Sequence, residues 1–162
     1  MPFANKNYFC SKLKNMIQRI QTVYVFIAAL LVGALYKLKF ADLAVNDDLF
    51  TFTAKGISNG TELIFNGIPI LIFIGIITLL HFVVIFLYKK RILQMRILVF
   101  TIILLLGLFG IFFYFTYAGF EEVKAAFKIP VAFPLVAVIL DYLAIRSIGK
   151  DEALVRSLNR IR

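Results

Sequence analysis

The chain has 162 residues, 62% of them apolar and only 17% charged, with a mean hydropathy of +0.92. Soluble domains carry about 45–50% apolar and about 25% charged residues, so a water-soluble fold of this size has too little interior for the surplus. The formal net charge of +9, from 18 Lys and Arg against 9 Asp and Glu, would point to nucleic acid in a soluble chain. In a membrane protein the positive-inside rule already accounts for it, and nucleic acid is not expected as a partner.

The first 19 residues form a basic flank, and Leu13, Met16 and Ile17 in it share one helical face with the Ile20 that follows, a pattern that lies in a membrane interface. Four charge-free gaps follow: Arg19 to Lys37, Glu62 to Lys89, Arg96 to Glu121 and Lys128 to Arg146. Each is near the roughly 20 residues that a helix needs to span a bilayer. Stretches such as Ile70 to Ile77 are apolar on every side, which excludes the alternation of a barrel strand and leaves helices. The expected spans are 20–37, 67–88, 97–118 and 130–148, with Tyr36, Tyr88 and Tyr117 as interfacial anchors. No small-x-small cleavage site precedes Lys37, so the first span reads as an uncleaved anchor.

Residues 38–66 make the one long polar connection. Phe50 to Thr53 alternate at strand period, Asn46-Asp47-Asp48 and Ser58-Asn59-Gly60 supply turn chemistry, and Leu63-Ile64-Phe65 can pair back, which predicts a small antiparallel sheet in this first extracytoplasmic loop. The inner loop 89–96 is basic, and the outer connection 119–129 is short. Ile129-Pro130 opens the last helix, with Pro134 in its first turns. The tail 149–162 repeats the amphipathic pattern with Leu154, Val155, Leu158 and Ile161; Asp151 and Glu152 near its start and arginines near its end suit the helix dipole. Of the 18 basic residues, only Lys37, Lys39, Lys55, Lys124 and Lys128 fall on the side opposite the termini, so both termini are expected in the cytoplasm. The fold class is thus an all-α four-helix transmembrane bundle with a small outer sheet, forming one membrane domain.

The segments Met16-Ile17-Gln18-Arg19-Ile20-Gln21-Thr22-Val23-Tyr24, Leu93-Gln94-Met95-Arg96 and Tyr142 through Ser157, continuing to Arg162, resemble the bacterial four-pass membrane family named domain of unknown function 4293. The resemblance covers about Met16 to Arg162 and implies a Gram-negative inner-membrane protein. Residues 1–11 fall outside it, which makes Met16 a candidate start. The layout is also similar to that of claudin-like tetraspan proteins.

His81 and Asp141 are the ionisable residues inside the spans, and such residues are functional candidates by default. Their distances from the basic residues Lys89 and Lys150 place both on the order of 12–14 Å from the inner rim. Three readings compete: a hydrogen-bonded clasp between spans two and four, which is preferred; steps of a proton or ion path; or two unrelated side chains. Ala29-x-x-x-Gly33, Gly75 and Gly107-x-x-Gly110 are candidate positions for close helix packing. The cytoplasmic basic face consists of Arg19, Lys89, Lys90, Arg91, Arg96, Arg146, Lys150, Arg156, Arg160 and Arg162; it fits anionic lipid headgroups or an acidic partner.

The lone Cys10 permits no internal disulfide, one His without further ligands makes no metal site, and no phosphate loop, nucleophile elbow or pair of carboxylates with divided roles is present. No catalytic residue, cofactor or metal is therefore expected. The expected function is a non-enzymatic scaffold or accessory subunit of an inner-membrane complex, with other integral membrane proteins as partners. The alternative is a small transporter or proton-coupled regulator using His81 and Asp141.

Overall fold

A computed structural model describes residues 20–45, 48–59, 62–88, 90–117 and 124–159, the side chains of Val45 and 154–159 excepted. Within them the chain is mostly helical: α1 (Ile20–Ala34), β1 (Lys39–Val45), β2 (Asp48–Thr53), β3 (Gly56–Asn59), β4 (Glu62–Asn66), α2 (Ile68–Phe86), α3 (Arg91–Tyr117), β5 (Lys124–Phe127), a 3-10 turn (Ile129–Ala132) and α4 (Phe133–Asn159). Three helices are long and apolar enough to cross a membrane: Ile68–Phe86, Arg91–Tyr117 and Ile129–Ala153. The described part of α1 is apolar but shorter.

Each helix buries one narrow stripe at alternating spacings of three and four. On α1 it runs Gln21, Val25, Ala28, Val32; on α2, Ile70, Ile74, Ile77, His81, Val84; on α3, Gln94, Leu98, Thr101, Leu105, Leu108, Phe112; on α4, Ala137, Asp141, Ala144, Ile148, Asp151. Such spacing is the one expected of helices packed side by side along a narrow seam. The other faces are also apolar, and Leu30, Leu79, Ile103 and Ile139 among others are exposed.

Two of the helix boundaries differ from the sequence reading. α3 begins at Arg91, so most of the basic inner loop is helix, and α4 runs without a break from Phe133 to Asn159, so no separate tail helix exists. Charges mark where a chain leaves an apolar layer, but backbone hydrogen bonding continues past that point at no cost. Asp151 is accordingly in the interior of α4 and buried, not at a helix start complementing a dipole. Pro130 occupies the first positions of the 3-10 turn, where its missing amide leaves no bond unmade.

The five strands form one antiparallel sheet ordered β4-β3-β2-β1-β5. Phe50 and Phe52 of β2 are buried, and Leu63 to Phe65 of β4 pair back on β3 as the pattern indicated. The expected turn residues Asn46, Asp47 and Gly60 lie outside the described residues. β5 departs from the expectation of a plain connection: Ala41 to Ala44 of β1 pair with Phe127 to Lys124, and the Lys128 amide donates to the Phe40 carbonyl at 2.8 Å. The two connections on this side of the bundle are therefore one sheet. An exposed ion pair, Lys128 Nζ to Asp42 Oδ2 at 2.6 Å, adds little to that pairing.

The sheet packs on the helix ends through three rings. Phe40 lies 4.4 Å from Phe112 and 5.3 Å from Phe52, and Phe52 lies 6.1 Å from Phe112, between ring centroids. The passage from sheet to α2 is equally close: the Gly67 amide donates to the Lys55 carbonyl at 2.8 Å, and Gly56 has φ of 125°. A Cβ at Gly56 would overlap the Phe65 carbonyl. Gly56→Ala is therefore expected to destabilise the purified chain by about 1–3 kcal/mol. Gly110→Ala, whose added methyl meets nothing within 4 Å, is expected to gain about 0.5–1 kcal/mol. Thermal unfolding of the two variants in one detergent checks the contrast.

Candidate functional site

The interior is divided into two apolar clusters. One joins Phe40, Phe52 and Ile57 of the sheet to Ala28, Val32, Ile74, Ile77, Leu105, Leu108 and Ala137. The other, at the far end, consists of Val25, Val84, Leu98, Ala144 and Ile148. On the stripes between them stand His81 of α2, Thr101 of α3 and Asp141 of α4, all fully buried. A polar layer thus crosses the bundle.

His81 Nε2 is 3.2 Å from Asp141 Oδ1, and His81 Nδ1 is 2.9 Å from the Ile77 carbonyl. A carbonyl only accepts, so Nδ1 carries hydrogen and donates to it. One proton is then left for the contact with Asp141: either Nε2–H donates to a carboxylate, or a protonated Asp141 donates to Nε2. Both arrangements leave the pair with no net charge, which is the condition for burying it. Thr101 donates to the Ile97 carbonyl of its own helix at 2.9 Å, so its hydroxyl is satisfied locally. Asp141 Oδ2 is the one buried side-chain oxygen or nitrogen without a hydrogen-bond partner among the described residues.

A second set of polar contacts closes the end away from the sheet. Gln21 Nε2 donates to Asp151 Oδ2 at 2.7 Å, tying the start of α1 to α4. Gln94 Nε2 of α3 donates to the Val84 carbonyl at 3.1 Å, in the last turn of α2, where that carbonyl also accepts from the Leu87 amide at 3.2 Å. Gln21 and Gln94 were not singled out as site residues from the sequence, and Asp151 was read there only as a charge that suits a helix dipole. Their signal was positional: each continues the three-and-four spacing of its helix's buried stripe.

The expected packing positions fare unequally. Ala29 is buried; a Cβ at Gly75 would lie 3.0 Å from the Tyr36 hydroxyl and one at Gly107 3.5 Å from the Phe73 ring, whereas Gly33 and Gly110 face open space. Among the basic residues, Arg146 and Lys150 are exposed on α4 beside Tyr24, and Lys90 lines a separate depression with Phe86, Leu87 and Leu93. Arg91 and Arg96 lie in the first turns of α3. Arg19, Lys89, Arg160 and Arg162 lie outside the described residues, as does the side chain of Arg156. Among the described residues no group of three or more His, Cys, Asp and Glu is placed to hold a metal ion.

These polar positions fall inside the stretch that a family model matches, residues 17–161. The chain belongs to the family described as Domain of unknown function (DUF4293). No curated protein and no solved structure matches it. In this DUF4293 chain the His81–Asp141 and Gln21–Asp151 hydrogen bonds join helices distant in sequence.

Removing one member of the buried pair strands the other. Asp141→Ala is expected to cost about 3–5 kcal/mol, and the double variant His81→Leu/Asp141→Leu to recover most of that loss. Thermal unfolding of the wild type, both single variants and the double variant measures the coupling.

Proposed function

We propose that the chain is a four-pass protein of a bacterial inner membrane, with both termini cytoplasmic and the sheet outside, that serves as a non-enzymatic scaffold or accessory subunit of a membrane protein complex. The observation that carries this reading is the kind of surface the bundle presents. Only 28%, 28% and 33% of the three long apolar windows are buried inside the fold, leaving large apolar faces for lipid or for other integral membrane proteins. In this reading α1 belongs to a further span, expected over 20–37, and the layout is like that of claudin-like tetraspan proteins.

The sealed polar layer supports a structural role. His81 and Asp141 are both fully buried and meet through His81 Nε2 and Asp141 Oδ1, which suits a clasp that holds α2 and α4 in register. Solubilisation in a mild detergent is expected to release the tagged chain in a stoichiometric assembly, with crosslinks to the same partner in intact cells. A monomer free of crosslinks would count against the scaffold. A carboxyl-terminal tag reachable from the periplasm would count against the orientation.

The rival reading, a small transporter or proton-coupled regulator, draws support from the unpartnered Asp141 Oδ2. It predicts pH-dependent flux into vesicles holding the purified chain, abolished by Asp141→Asn. Absence of flux in the wild type would remove it.

A further inference from the structure

At the end of the bundle away from the sheet, α1 and α4 part to leave a cleft of ≈ 350 Å³ lined by Ile20, Tyr24, Leu143, Arg146, Ser147 and Lys150. The lining follows from helical spacing: Ile20 and Tyr24 are four apart on α1, and Leu143, Arg146, Ser147 and Lys150 follow one stripe of α4. The Gln21–Asp151 bond joins the residues next to Ile20 and Lys150, so the separation of the two walls is fixed. The lining holds two cations, two hydroxyl groups and no acid. Asp151, the neighbouring carboxylate, is turned inward to Gln21, and neither Arg146 nor Lys150 forms an ion pair among the described residues.

Charge of one sign, with hydroxyl donors in a cleft, fits a phosphate. The surroundings specify what that phosphate belongs to. One turn towards the sheet, the same two faces continue as exposed Ile27 and Ile139, 40% and 59% accessible. A free phosphate has no use for an apolar extension, whereas a phospholipid has acyl chains to lay along it. We propose that the α1/α4 cleft seats the headgroup of one anionic phospholipid, with its phosphate on Arg146 and Lys150, Tyr24 and Ser147 beside it, and its chains along the faces that carry Ile27 and Ile139. This site rests on the reading of the chain as membrane-spanning, and it locates the lipid preference in one place instead of spreading it over the basic face.

The test uses the full chain in a neutral detergent, titrated with dioleoyl phosphatidylglycerol or dioleoyl phosphatidylcholine while bound lipid is counted by native mass spectrometry. Arg146→Gln/Lys150→Gln is compared with Arg91→Gln/Arg96→Gln, which removes the same charge from α3. The expected result is one tight phosphatidylglycerol, weakened about tenfold or more in the first double variant and unchanged in the second. Phosphatidylcholine should bind weakly throughout, and millimolar inorganic phosphate should not displace the lipid. Equal losses in the two double variants would overturn the site in favour of diffuse surface charge. Equal affinity for the two lipids, or displacement by inorganic phosphate, would overturn it as well. Carbonate washing of vesicles holding each variant separates the two levels: a chain that stays in the vesicle but shows no preference sinks the site alone, and one that washes out sinks the membrane reading with it. Arg96, Arg146 and Lys150 are exposed and Arg91 is half-buried; unchanged thermal unfolding of each variant verifies the fold.

Discussion

A polar side chain on a buried helical stripe has no water to turn to, so it must meet a partner on a neighbouring helix or on its own backbone. That constraint sets the alignment of this bundle. His81 reaches Asp141 across α2 and α4, Gln21 reaches Asp151 across α1 and α4, and Gln94 reaches the end of α2 from α3. Apolar faces alone tolerate sliding and rotation, because one leucine contact resembles another. A shift of one turn at α4, by contrast, would leave both Asp141 and Asp151 without partners.

The polar layer also divides the labour of the interior. On one side of it, large rings and β-branched residues fuse the sheet to the helix ends, with Phe112 of α3 in contact with Phe40 and Phe52. On the other side, the cluster around Val25, Val84, Leu98, Ala144 and Ile148 is small, and the Gln21 and Gln94 hydrogen bonds close that end. The sheet contributes a further restraint, since β5 carries the chain from α3 to α4 while paired with β1, which follows α1. Helices that are sequential neighbours and helices that are not are thereby held at both ends.

Such a bundle fits the proposed role better than it fits a machine with moving parts. Its polar groups are directed at one another, and its outward faces are broad and apolar. In the membrane reading, the basic residues of α3 and α4 lie where headgroups begin, and the cleft beside Tyr24 turns part of that general attraction into a shaped site. Membership of the DUF4293 family places this architecture in a shared sequence pattern without assigning chemistry to it.

The sequence by itself determined the position and apolar character of the long helices, a sheet in the first connection, the family, and His81 and Asp141 as the residues to watch. These properties depend on composition and local spacing, and they are readable because charges are so rare in the apolar stretches. Only the tertiary structure decided that Lys124 to Phe127 become a fifth strand, that α4 continues through Asp151, and that Gln21 and Asp151, 130 positions apart, meet. Four residues such as KAAF carry no strand signal until β1 offers an open edge. Helices that are apolar all round likewise do not announce which stripe faces inward, so a glutamine at a helix start or an aspartate beside other charges looks solvated until the neighbouring helix is in place.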